Sequence, residues 1–566
     1  MVNLKNISKI ILQIIFVINL IFFSTLQAKN YDKFNNADSI SNYFSGIIHL
    51  NQNEYYDSYK YLNKLKGLEN SHKNYSEKYI YSLINTGNFF QAFKYSKKLE
   101  EDGLATFNSD LIMGIYYLKL NKFNLSKKYF LKVNNRDLNT VLDSYIAKSL
   151  ILWSDLSHNS LTQAMIALER IDQRFANLKK IQNVFLNCYF KSENTKTLFE
   201  NLTSNEKTDF SRYNYFFANY LNNIEQKTYA KKIIEESLKR YPRNLLINQY
   251  KIDFLSGKNN FQFDCSKQEH VVAEILYITA NALASQNIYP TSNFYLNLAK
   301  YLNQDFHIFD TLLAENFLNK GDFTQAKKIF QEISNYGSVF NWYSKKQISR
   351  ILIQENEKEK ALKTLRDSFN NIKTKGVYEI YDYAEFLKNN EKFEEAIIYY
   401  TKILDLIDRK HPLFPKTTDG RGVSYERIGD WKKAEKDLLD SLSESPDQAY
   451  VINYLAYTWI EKGVKINKSL SMLEKANKLK SNDPFIIDSL GWALFKLERF
   501  EESKEYLQLA LRLMPADPIV NDHYGDVLWK NGKKIQARYY WNYVLNLKEA
   551  EENLKRKIKK KLIKGL

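Results

Sequence analysis

Through the second half of this chain a small residue returns at a nearly constant interval, which leaves few folds open. Ala280, Ala314, Ser349, Ala384, Gly422, Ala456, Gly491 and Gly525 are spaced by 34, 35, 35, 38, 34, 35 and 34 positions. Each has a small companion twelve or thirteen residues on, at Ser292, Ala326, Ala361, Ala396, Ala434, Ser469, Ser503 and Ala537. Small residues on consecutive helices let two antiparallel helices approach closely, so the spacing predicts an all-α array of helix-turn-helix units that grows in one direction. With 8 Pro and 17 Gly in 566 residues, the chain has too few turn formers for a β-rich fold or a Rossmann-type enzyme.

The same unit is fainter in the first half, where Gly46 with Ser58, Ile80 with Ala92 and Gly114 with Ser126 again stand 34 apart. Ala218 with Ala230 continues it and ends at Pro242. The stretch "SGKNNFQFDCSKQEH", 256–270, carries no helical period and is expected to be a hinge between two sub-arrays or a loop on one rim. The insertion "DRKHPLFPK", 408–416, is expected to be a second protruding loop. The unit resembles the tetratricopeptide repeat, with Leu490-Gly491 early, Ala510 late and Pro515 at its end. That resemblance implies a right-handed superhelical solenoid of about 12–14 repeats. The expected division is a signal segment 1–28, a divergent array 29–255, the irregular 256–270, a C-terminal array 271–548 and a basic capping helix 549–566.

Lys5 and Lys9 precede "IILQIIFVINLIFF", then "STLQA", which is the order of a secretory signal cleaved after Ala28. An uncleaved anchor is the alternative, and export implies the periplasm of a Gram-negative cell. Cys188 and Cys265 are 77 positions apart; in an array where each repeat touches only its neighbours they are expected to be separate thiols. The formal charge of +17 raises nucleic acid as a partner, but export argues against it, and Lys, Asn, Ile and Tyr are enriched together as an AT-rich genome would produce. Contact with an acidic membrane surface through the basic tail stays open.

No motif for catalysis, cofactor or metal binding is read in the chain: the seven His are scattered, no HExxH occurs, and neither a P-loop nor GxSxG is present. Ser489 sits inside a helix with no elbow to expose it. Function is therefore expected on the inner face, lined by first-helix residues six before, three before, one after and four after the small position. Those positions hold Tyr343, Arg350, Tyr378, Tyr381, Asn453, Tyr457, Phe485, Asp488, Trp492, Phe495, Asp522, Asp526 and Trp529. Large aromatics with a few hydrogen-bonding groups suit a protein or peptide partner. Asp488, Asp522 and Asp526 would repel a terminal carboxylate, so a basic or neutral peptide fits that end.

The run 453–545, with "DSLGW", "NDHYGDVLW" and "ARYYW", resembles the C-terminal part of exported proteobacterial tetratricopeptide proteins. Some of these are lipoprotein adaptors that hold a C-terminal processing peptidase and its substrates. The resemblance implies a non-enzymatic scaffold of the cell envelope, though this chain has no lipid-attachment Cys near the cleavage site. A membrane- or polysaccharide-associated assembly factor is the alternative.

Overall fold

The computed structural model describes residues 34–136, 140–204, 210–258 and 262–566; the expected signal segment lies outside them. Among the described residues about 30 α-helices follow one another, most of them 11–15 residues long and paired antiparallel with the next. All sixteen small positions of the second-half ladder are buried, and the alanines and serines among them have no exposed surface. Where the small residue is glycine, a large side chain sixteen positions on fills its place: a Cβ on Gly525 would lie 2.5 Å from the Trp541 ring, and one on Gly491 would lie 2.7 Å from Leu507. Gly525→Ala is therefore expected to cost about 1–3 kcal/mol by pushing Trp541 off its seat, measurable as a lower thermal midpoint.

The chain divides into two compact units, Met1–Ser368 and Phe369–Leu566. In the first unit, packing is not limited to neighbouring repeats. Asn293, on the helix Tyr289–Leu302, donates to the Tyr55 hydroxyl, 238 positions earlier, at 2.8 Å. On the same helix Asn297 donates to Asn85, and Phe294 stacks on Tyr81 at 4.3 Å. The first unit thus folds back on itself.

That closure corrects the expectation of two separate thiols: Cys188 and Cys265 form a disulfide with a Cα–Cα distance of 6.0 Å. After the helix Leu245–Leu255 the chain crosses the helices 176–189 and 213–223 instead of starting the next repeat directly. Phe263 packs against both Phe185 and Phe216, at 5.2 and 4.4 Å, and its carbonyl accepts from Asn219 at 2.8 Å. Cys265, two residues on, is delivered to Cys188. The irregular segment is therefore stapled within the first unit. The insertion at 408–416 is likewise tied down, because Arg409 pairs with Asp440 and Glu444 and the helix Phe414–Arg427 begins inside it.

The second unit includes α1 (Ala449–Glu461), α2 (Ile466–Leu479), α3 (Pro484–Lys496) and α4 (Phe500–Leu513). They are followed by α5 (Pro518–Lys530), α6 (Lys534–Asn546) and α7 (Glu552–Lys564). Helices α3 and α5 start at an Asp-Pro pair: the carboxylates of Asp483 and Asp517 accept from the first free amides, and Pro484 and Pro518 need no donor there. These two starts set α3 and α5 in the same register and bring equivalent side chains to one face.

Candidate functional site

The register places α1, α3 and α5 side by side. Trp492 on α3 donates its indole N–H to Glu461 on α1 at 2.6 Å, and Asp488 faces the Nδ1 of His523 on α5 at 3.0 Å. The Trp492 ring lies flat between Phe495, at 4.7 Å, and His523, at 3.9 Å. Tyr457 from α1 reaches the same place; burial holds its hydroxyl well above the ordinary range, with Glu461, Asp488 and Asp522 adding to the effect. Phe485 is 58% exposed at the start of α3. Ser489 donates to the Phe485 carbonyl at 2.9 Å and does not face His523, so the Asp-His pair activates no serine there.

One turn further along, Asp522 and Asp526 project from α5, both buried. Between them sits the ammonium of Lys561, from α7, at 2.6 Å from Asp522 and 2.6 and 2.7 Å from the two oxygens of Asp526. The Trp541 indole also donates to Asp526, at 2.9 Å. Trp529 packs on Trp541 at 5.4 Å, and Gly565 comes so close that a Cβ there would lie 2.1 Å from the Trp529 ring.

Nine of the thirteen residues singled out by register thus stand on α1, α3 and α5: Asn453, Tyr457, Phe485, Asp488, Trp492, Phe495, Asp522, Asp526 and Trp529. Tyr378 and Tyr381 lie on the helix Val377–Asn389 of the same unit, half-buried, near His411 and Tyr400 respectively. Tyr343 and Arg350 are in the first unit, where Tyr343 is buried and donates to Glu315 while Arg350 is exposed. The acids of this face are not bare, since Asp488 is paired with His523 and Asp522 and Asp526 with Lys561. His523, Glu461 and Lys561 were missed by register reasoning because none occupies an inner-face position of a repeat.

Residues 488–517, which span α3 and α4, match the family model of the tetratricopeptide repeat. The chain carries a tetratricopeptide repeat. Over 125 residues, 22% of this chain, it is 31% identical to a TPR repeat-containing protein of Pseudomonas aeruginosa, and it spans about a fifth (20%) of that relative's length. Similar solved structures include MamA AMB-1, at 20% identity, covering 30% of this chain and 99% of that one with a TM-score of 0.27. MamA from Desulfovibrio magneticus RS-1 is 17% identical, with 31% and 97% covered and a TM-score of 0.27. YrrB, described as a TPR protein with an unusual peptide-binding site, is 16% identical, with 33% and 92% covered and a TM-score of 0.27. The pairing of helices here is that of tetratricopeptide-like repeats.

Electrostatics on this tetratricopeptide face predict a pH response. Burial pushes Asp526 up to about 6, with Asp522 adding repulsion and Lys561 opposing it. Burial also pushes Asp419, on the helix Phe414–Arg427, up to about 6. Burial pulls the His523 imidazole down, but Asp488 outweighs it and the net shift is upward. A group whose folded value is raised contributes stability below its unfolded value and loses it as pH rises through the folded value. All three act in the same direction, so the second unit is expected to be more stable at pH 5.5 than at pH 8, by about 1 kcal/mol for each carboxyl group. Urea unfolding followed by tryptophan fluorescence at the two pH values reads this directly.

Among the described residues no group of three or more His, Cys, Asp or Glu is arranged to hold a metal ion, and no helix is long and apolar enough to cross a membrane. The disulfide is consistent with an oxidising compartment.

Proposed function

We propose that this chain is a non-enzymatic scaffold of the cell envelope that holds protein or peptide partners on the first-helix face of its second unit. The observation that carries this reading is the continuous row on α1, α3 and α5. The exposed ring of Phe485 and the half-buried ring of Phe495 stand on it, backed by the buried Trp492–His523 stack and by carboxylates already fixed in position. Aromatic anchors held by packing before the partner arrives lose little entropy on binding, and fixed polar groups orient what binds. Tetratricopeptide repeats are a scaffold for such contacts, and the matched repeat, residues 488–517, contains Asp488, Trp492 and Phe495 of the row. An exported location is supported by the signal-like first 28 residues and by the disulfide. An envelope peptidase with its substrates is the partner class implied by the sequence resemblance.

Crosslinking capture from an envelope fraction tests the reading with Phe485→Glu beside the unaltered chain. Phe485 is 58% exposed, so the change leaves the fold intact. Capture is expected to fall several-fold at an unchanged melting temperature. Equal capture by both proteins would remove this face from the binding surface.

A further inference from the structure

The two carboxylates of Asp522 and Asp526 are four residues apart on one face of α5 and almost entirely buried, at 7% and 3% exposure. Two adjacent buried anions require a cation, and the Lys561 ammonium meets them through three contacts of 2.6–2.7 Å, its side chain 16% exposed. An ammonium has three donors, and three oxygens meet it.

The helix that brings Lys561 is held mainly by a narrow stripe. Ile558, one turn before the lysine, is fully buried in the cluster of Leu507, Trp541 and Val544, with Leu554 and Leu562 partly buried beside it. The opposite side is solvated: Arg556, Lys557, Lys559, Lys560 and Lys564 are exposed, and Ile563 is 80% exposed. The backbone adds one contact from a neighbouring side chain, Arg538 to the Leu562 carbonyl at 3.3 Å. Helix α7 therefore packs along α6 and reaches α5 through Lys561, presenting the pattern of a short amphipathic ligand, an apolar knob and a lysine three residues later. It also covers Asp522 and Asp526, and Gly565 just past its end lies against Trp529, the last rung of the row proposed above as the partner face.

We propose that the Asp522–Asp526 pair is a lysine-recognition seat held shut by the chain's own α7, and that its partner is an amphipathic helix with a branched apolar residue followed three positions later by lysine. This rests on the scaffold reading and gives the partner a chemistry. Charge complementarity favours such a partner over an acidic one. Beyond the seat the row continues with Asp488, also buried, and with Glu461 bonded to Trp492.

A specific protease site inserted between Lys548 and Glu549 lets the full chain fold first and be cut afterwards, so that α7 stays by its own affinity alone. The probes are labelled peptides of residues 551–566, one with Lys561 and one with norleucine in its place, and an unrelated alanine-rich helix carrying Ile-x-x-Lys. The lysine peptide is expected to exchange into the cut protein, and the norleucine peptide to bind about 30-fold or more weakly, because it leaves two buried carboxylates without a cation. The unrelated Ile-x-x-Lys helix is expected to compete with the lysine peptide. Asp522→Asn with Asp526→Asn should erase the difference between the first two peptides; should that variant not fold, the comparison on the unaltered protein still decides. Equal binding of the lysine and norleucine peptides overturns the seat. Failure of the unrelated helix to compete, or exchange of α7 between intact copies into a stable dimer, overturns the partner assignment. None of these outcomes bears on the Phe485→Glu capture, so the two readings fail separately.

Discussion

Arg212→Ala is expected to cost the first unit about 3–5 kcal/mol, the usual range when one partner of a buried ion pair is removed. Arg212 precedes the helix Tyr213–Asn223 and meets Glu274, on the helix Gln268–Ala284, through two bonds of 2.7 Å each. Glu274 has no exposed side-chain surface and Arg212 only 18%. The guanidinium also lies 4.0 Å from the centre of the Tyr277 ring and 5.2 Å from that of Phe306, so its flat faces are packed as well as its edges. Alanine would leave the buried Glu274 carboxyl without its guanidinium, with the Tyr213 hydroxyl at 3.4 Å. The double replacement Arg212→Met with Glu274→Leu is expected to recover most of the loss, because the cost lies in the stranded charge. Urea midpoints of the single and double variants decide it. A single variant as stable as the parent would show that the pair contributes nothing.

Reduction of the disulfide is expected to destabilise the same unit by about 4 kcal/mol, from the chain entropy regained when a closed loop of this length is opened in the unfolded state. The loop is set by the 77-residue separation of Cys188 and Cys265. Cys265→Ser should show the loss without reductant, and the unaltered chain should show it only with reductant. The native contacts that deliver Cys265, from Phe263 to Phe185 and Phe216, remain in both cases. The variant should therefore fold to the same structure with a lower midpoint. A midpoint insensitive to reductant, with both thiols shown to be oxidised beforehand, would contradict this.

These two effects fall where sequence reasoning was weakest. The repeat ladder was legible because a small residue facing a large one is a local requirement: Gly491 with Leu507 and Gly525 with Trp541 are both sixteen positions apart. Closure of the first unit was not legible. Contacts such as Asn293 to Tyr55, 238 positions apart, leave no period in the sequence. Treating the array as a line of neighbours then led to separate thiols. The row on α1, α3 and α5 was legible by register, since three before and one after the small residue gives Asp488 and Trp492 in one repeat and Asp522 and Asp526 in the next. What those residues touch was not. His523 lies between the inner-face positions, and Lys561 lies outside any repeat. The available signal was the apolar spacing of Leu554, Ile558 and Leu562, which fixes the face from which Lys561 projects.

The central claim is that partners bind the first-helix face of the second unit. Hydrogen–deuterium exchange of the full chain, with and without a captured partner, tests it most directly. The account predicts slowed exchange in α1, α3 and α5, strongest around Phe485 and Trp492, with α2, α4 and α6 unchanged. Protection confined to α2, α4 and α6 would contradict it.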